Sequence, residues 1–384
     1  MHYLESDILF TGNSEPIKSG ILVVDSHGNI VDVLKNRGLV PAHKIIKIDG
    51  ALCPGFINTH CHLELSHLKS KLERETGLPA FISQIPHIRK TEQQLIDSEI
   101  EKADAQMRQN GIVAVADISN TNHTFKVKEN SSIYYHTFIE LFSLNPELAN
   151  QVFDNGLQLE KQCNTPSSLV PHANYSVSNE LFALIKNYNR GGLLSIHNQE
   201  TETEDRMFLD RSGLLFETLT NVHYFSETGK SAIQSTFPLL PNAKTLLVHN
   251  TFSSLEDMKW VNSNSDSFYW CTCPKANLYI ENRLPQYADF IAANCKITIG
   301  TDSLASNDSL SILEEMIVIA KHQKVNINTL IMWACKNGAE FLGLDDLGTF
   351  AKGKNPGINV LTQLSDTFEL TNETKVRPLN LNDL

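Results

Sequence analysis

From residue 51 to about 345 the chain alternates short apolar runs with longer amphipathic segments, and this rhythm limits the possible folds more than any other feature. Eight runs read as β-strands, near 55–60, 112–118, 133–140, 168–173, 193–197, 245–249, 268–273 and 296–301. Between the first two, Ile96, Ile100, Ala103 and Met107 recur at a spacing that lines one helical face. Further helices are predicted near 178–188, 285–294, 309–322 and 327–341. Strands alternating with helices predict a parallel sheet with helical crossovers. Eight such units over about 290 residues predict an α/β chain folded as a (β/α)8 TIM-type barrel. An open doubly wound sheet would place a glycine-rich phosphate loop after its first strand, and the sequence has none there. The first fifty residues read differently. Ile21–Val24 and Ile30–Leu34 flank the turn Ser26-His27-Gly28-Asn29 and predict a hairpin. After Gly348 short β-like pieces return, such as Gly357–Leu361. The two ends, 1–50 and 346–384, are expected to form a small composite β-sandwich beside a barrel at 51–345.

A formal charge of −12, from 32 basic and 44 acidic residues, argues against nucleic-acid polymers and anionic membranes as partners. Met1–Ser14 lacks the basic start and apolar stretch of a secretory signal, and no run approaches the roughly 18 apolar residues of a membrane span. Seven scattered cysteines suit reduced thiols in a cytoplasmic protein better than a disulfide framework. Cys271 and Cys273 have no second pair nearby and are not expected to form a zinc knuckle.

Active sites of such barrels sit where the strands end. The first strand ends in His60-Cys61-His62, whose two imidazoles point to one side and can grip one metal ion from a single rigid element. The fifth ends in His197, with Glu200 three residues on; the sixth ends in His249; the eighth ends in Asp302. One histidine at a strand end is ordinarily just a satisfied polar residue, but this many point to a metal site. Three imidazoles and a carboxylate suit zinc or iron(II), with one position open for water. Water so bound is acidic enough to supply hydroxide near neutral pH. Hydrolysis also needs a proton carrier, and Glu200 stands beside His197. The bland alternative makes Glu200 one of a run of solvated acids with Glu202, Glu204 and Asp205.

Pro54-Gly55-Phe56-Ile57-Asn58-Thr59-His60-Cys61-His62, His197-Asn198-Gln199-Glu200 and Gly300-Thr301-Asp302-Ser303 together resemble the amidohydrolase superfamily, in its branch of heterocycle deaminases and chlorohydrolases. The resemblance covers about 51–345. It implies that His60, His62, His197 and Asp302 bind one divalent metal ion, zinc before iron. It further implies that Glu200 moves a proton to the ring nitrogen beside the attacked carbon. His249 and Asp302 would orient or deprotonate the water, and ammonia would leave. Pro171-His172-Ala173-Asn174-Tyr175-Ser176 is similar to a segment of that branch whose histidine faces substrate. Cys273-Pro274-Lys275-Ala276-Asn277-Leu278 is similar to another, whose asparagine lies near it, although a turn asparagine is the plain alternative. No lysine ends the fourth strand, which argues against a carbamylated dinuclear site.

His62-Leu63-Glu64-Leu65-Ser66, with Thr301–Asp308, most resembles the aminodeoxyfutalosine deaminase-like members, which act on an adenine nucleoside with a modified ribose. This implies substrate contacts from Glu64, His172, Asn277 and Ser303, although Glu64 reads equally as a buried acid bonded to backbone amides. The chain departs from the branch at Cys61, where threonine is usual, and at Gly353-Lys354-Asn355-Pro356-Gly357, which lacks the usual Ala-Asp. The long segments 66–89 and 201–231 are expected to form a lid or substrate wall, or to pack at the interface of a homodimer. The sequence therefore predicts a metal-dependent deaminase of a purine-type ring or its nucleoside. Its alternatives are hydrolysis of a cyclic amide or C–Cl bond, and a non-catalytic binding protein on the same scaffold.

Overall fold

Parallel strands buried on both faces must be apolar along their whole length, and the computed structural model, which describes residues 1–38 and 40–384, forms them at the eight apolar runs. The chain divides into two interleaved units, one of 1–58, 105–115 and 311–384, the other of 59–104 and 116–310.

The first unit is organised by a seven-stranded sheet. Its N-terminal strands are β1 (His2–Leu9), β2 (Ile17–Lys18), β3 (Ile21–Val24), β4 (Ile30–Leu34) and β5 (Ile45–Pro54). β3 and β4 pair antiparallel as the expected hairpin, and β5 runs parallel to β1.

The next eight strands are β6 (Phe56–Cys61), β7 (Ile112–Ser119), β8 (Tyr134–Leu141), β9 (Ser167–Pro171), β10 (Leu194–Asn198), β11 (Thr245–His249), β12 (Phe268–Thr272) and β13 (Ile297–Ile299). The tail supplies β14 (Ile358–Thr362) and β15 (Lys375–Pro378). β14 pairs antiparallel with β5 and with β15, so the two chain ends share one sheet, in the order β15-β14-β5-β1-β3-β4. Its core holds Leu4, Leu22, Ile30, Leu52, Phe350 and Val360.

β6 to β13 form two four-stranded sheets, β6-β7-β8-β9 and β10-β11-β12-β13. Every pairing in the second is parallel, as is β8 with β9. Beyond the named strands, parallel bridges join Ala173 to His197 and Cys61 to Asp302. Helices follow the strands, with ends set by side chains: Ser178 and Ser254 accept the Leu181 and Asp257 amides at 3.3 and 3.0 Å. Ile96, Ile100, Ala103 and Met107 are buried along the helix Gln93–Gln109, the face their spacing predicted. A second apolar cluster in this unit joins the two long segments, with Leu72, Leu78 and Phe81 against Met207, Phe208 and Leu215.

Candidate metal centre and active site

The ends of β6, β10, β11 and β13 converge on one cluster. His60, buried completely, is the penultimate residue of β6, and His62 lies just past its end. Their Nε2 atoms stand 3.2 Å apart. Asp302 Oδ1 faces both, 3.6 Å from His60 Nε2 and 3.5 Å from His62 Nε2. The His197 ring centre is 4.9 Å from that of His60, and the His249 ring centre is 5.4 Å from that of His197. Gly300 lets the chain pass at this point, since a Cβ there would lie 2.8 Å from the His60 Cβ and 2.9 Å from Cys271 Sγ.

Backbone strain concentrates at the same place. His249, Asn250 and Asp302 adopt left-handed φ of 71°, 55° and 55°, and Gln199, between His197 and Glu200, has φ 44°. Such angles cost a residue other than glycine and persist only where the surroundings hold them.

The donors are fixed from behind. The His172 carbonyl accepts both the backbone N–H of His197, at 2.9 Å, and its Nδ1–H, at 2.7 Å. Nδ1–H of His249 donates to Asn277 Oδ1 at 2.9 Å. Ser306 Oγ–H donates to Asp302 Oδ2 at 2.5 Å. These bonds set the tautomers of His197 and His249 so that each Nε2 carries its lone pair. Burial, reinforced by neighbouring imidazoles, pushes His62 and His197 well below the ordinary histidine range, and burial also lowers His60 and His249. Burial alone would raise Asp302, but the His60 hydrogen bond and the surrounding imidazoles outweigh it and hold the carboxyl below its usual range.

Neutral imidazoles facing an ionised carboxylate are a cation's donor set. Around a tetrahedral ion with bonds of about 2.0–2.1 Å, adjacent donors sit roughly 3.3 Å apart, close to the separations among His60, His62 and Asp302. Donor atoms of His60, His62 and Asp302 form one group able to hold a metal ion; His60, His197 and His249 form a second that shares His60. A third, Glu140 with His172 and His197, includes a carboxylate the sequence reading passed over. Glu140 is the penultimate residue of β8, and its strand-end position was the available signal. Burial, reinforced by the Glu64 and Asp302 carboxyls and opposed by the Asn120 hydrogen bond and the Arg89 guanidinium, pushes its pKa up to about 8.

Glu200 is buried beside this cluster, with Oε1 3.5 Å from His249 Nε2. Burial, with Asp302 as a second cause, raises its pKa well above the carboxylate range, which favours the neutral, protonated carboxyl. It is no solvated loop acid. His62, His172, His197, Glu200, His249, Asp302 and Ser303 line one cavity of about 80 Å³, walled on its other side by Leu65, Leu78, Phe81, Ile82 and Ile85. The segment 66–89 is thus a wall of this cavity. Asn277 meets the site through His249. Glu64 is not among the lining residues; its carboxylate pairs with Arg89 and accepts the Asn120 and Thr121 amides and the Thr121 hydroxyl, at 3.1, 3.0 and 2.7 Å.

Parallel sheets whose strand ends gather a metal-donor set beside a buried carboxyl define a metal-dependent hydrolase. Residues 51–379 match the amidohydrolase family, and the chain belongs to that family, as a hydrolase acting on C–N bonds. Among curated relatives, it is 26% identical over 363 residues to a 5′-deoxyadenosine deaminase of Methanosphaera stadtmanae, covering 88% of this chain and 79% of the relative. Among solved structures, it is similar to the Helicobacter pylori aminofutalosine deaminase in complex with methylthio-coformycin, with TM-score 0.78, 22% identity and coverage of 94% and 92% of the two chains. It is also similar to an adenosine deaminase from Xanthomonas campestris with bound zinc, with TM-score 0.73, 18% identity and coverage of 94% and 84%.

Proposed function

We propose that this chain hydrolytically deaminates an adenine nucleoside with a modified, apolar ribose end, and that His60, His62, His197 and Asp302 hold one divalent metal ion, zinc in preference to iron. The observation that carries the reading is the buried Glu200–His249 pair at 3.5 Å, set beside a metal-donor cluster. A bound divalent ion lowers the pKa of water from about 15.7 to about 7, which supplies hydroxide at neutral pH. Glu200 delivers its proton to the ring nitrogen next to the attacked carbon and regains one from the new hydroxyl as the carbonyl forms, while the amino group takes the proton first removed from water and leaves as ammonia. His249, oriented by Asn277, takes up the water's proton together with Asp302. His172 and Ser303 contact substrate from the cavity wall. Glu64 would reach a ribose hydroxyl only by trading the Thr121 hydroxyl for it.

The apolar wall selects the substrate's far end. No lysine or arginine lines the cavity among the described residues, and the guanidinium of Arg89 is already paired with Glu64. A 5′-deoxy or 5′-alkylthio group suits Leu78, Phe81, Ile82 and Ile85; a 5′-phosphate does not.

The bridges Ala173–His197 and Cys61–Asp302 support closing the eight strands into a (β/α)8 barrel at 51–345, with the sheet of residues 1–50 and 346–384 as the accompanying sandwich. The seven cysteines are free thiols, which suits a cytoplasmic setting. No helix among the described residues is long and apolar enough to cross a membrane.

Ammonia release across adenosine, 5′-deoxyadenosine, 5′-methylthioadenosine, adenosine 5′-phosphate, guanine and cytosine tests the reading, with a cyclic amide and a chlorotriazine as controls. The 5′-deoxy and 5′-methylthio nucleosides should turn over fastest and the phosphate slowest. Turnover of the cyclic amide or chlorotriazine with no ammonia from any adenine compound would overturn it. Elemental analysis should find about one divalent metal per chain. A native chain without metal that still turns over substrate would remove the centre from the mechanism.

A further inference from the structure

We infer that Glu204 is a positioning residue that pins the Gln199–Glu200 turn and thereby aims the Glu200 carboxyl at its target. The inference rests on the proton role proposed for Glu200 and extends it to a residue that touches neither metal donors nor cavity. Glu204 lies in the first turn of the helix Glu202–Asp210 and is buried completely. Its Oε1 accepts the backbone N–H of Gln199 at 2.8 Å, and its Oε2 accepts that of Glu200 at 3.1 Å. One carboxylate therefore closes over two consecutive amides. Asn174 Nδ2 donates to the same Oε1 at 2.9 Å and fixes the clamp from the far side.

What the clamp holds is strained. Gln199 has φ 44°, a left-handed angle that a residue with a Cβ keeps only under constraint. Its side chain is tied as well, with Nε2–H donating to Asp205 at 3.1 Å and to Asp257 at 3.0 Å, and Oε1 accepting Ser253 Oγ–H at 2.6 Å. The side-chain ties hold Gln199, but among the described residues only Glu204 reaches the Glu200 amide. Without it two buried N–H groups lose their acceptors, and the chain relaxes the left-handed angle to find others. That rotation moves Glu200 relative to His249, and a misplacement of about 1 Å can cost roughly 10²-fold in rate.

Glu204→Gln keeps the side chain's length but turns one of its two acceptors into a donor. It should lower kcat roughly 10–100-fold, with KM for 5′-deoxyadenosine within about threefold of wild type and metal per chain unchanged. The decisive comparison is with Glu200→Gln. If Glu204 acts through Glu200, the double variant will be no slower than Glu200→Gln alone. Should Glu204→Gln not fold, Glu204→Asp, which retracts the carboxyl by one methylene, is expected to show the same pattern. An unchanged kcat, or losses that multiply in the double variant, would overturn the inference. A fully active Glu200→Gln would instead bring down the proton role itself, so the two failures are distinguishable.

Discussion

Glu200→Gln is expected to retain its metal and lose roughly 10²–10⁴-fold in kcat, the usual contribution of a positioned general acid–base. Glutamine is nearly isosteric and fills the same buried space. Because burial raises the Glu200 pKa and so favours its neutral carboxyl, a neutral amide in its place leaves the field around the donors little altered. What disappears is a proton that can leave and return. Glu200 belongs to none of the metal-donor groups, so elemental analysis should match wild type. KM should move far less than kcat, since the lost interaction is made in the transition state. Full activity in this variant would show that the proton travels by another route, and Glu140, another buried carboxyl raised by burial, would be the next to test.

Strands on a parallel sheet are legible because burial on both faces demands an unbroken apolar run, and all eight formed within a residue or two of their expected places. The candidate donors were legible for a different reason: one histidine closing such a run is ordinary, but four histidines and an aspartate closing four of them are not. The residues missed are the ones whose meaning depends on a partner distant in sequence. Glu204 reads as one more acid among Glu202 and Asp205 until the amides of Gln199 and Glu200 are seen above it. Glu64 is the opposite case. The resemblance implies a substrate contact for it and a buried acid bonded to amides reads equally well, but only the fold reveals Arg89, Asn120 and Thr121 around it. Asp117 did carry a signal, being a charge inside the apolar run 112–118, but its counter-ion Lys128 belongs to the next helix, which the periodicity did not mark.

That pair yields the largest expected change in stability. Lys128 Nζ lies 2.5 Å from Asp117 Oδ2, and neither side chain is exposed to solvent. Ser119 Oγ and Thr137 Oγ1 complete the ammonium's shell at 2.9 and 3.2 Å, while Asp117 Oδ1 accepts the amide of Leu63, the neighbour of His62. Lys128→Met fills much of the volume but leaves a buried carboxylate without its counter-ion, which should cost about 3–5 kcal/mol. Adding Asp117→Asn removes the stranded charge and should recover a large part of that loss. The pH dependence has a definite sign. Burial already holds Asp117 above the usual carboxylate range against the pull of Lys128, and without Lys128 it rises further. A carboxyl raised in the folded state binds a proton that the unfolded chain releases near pH 3.9. The variant's deficit is therefore smallest at acidic pH and grows as pH climbs through the raised value. Urea midpoints at pH 5 and pH 8, taken beside wild type, should diverge in that order. A deficit below about 1 kcal/mol at pH 8 would mean that Asp117 is already neutral in the native chain. Because the Asp117 carboxylate also fixes the amide that follows His62, the single variant should bind its metal roughly 10–100-fold more weakly, the range seen when the partners behind a metal ligand are lost.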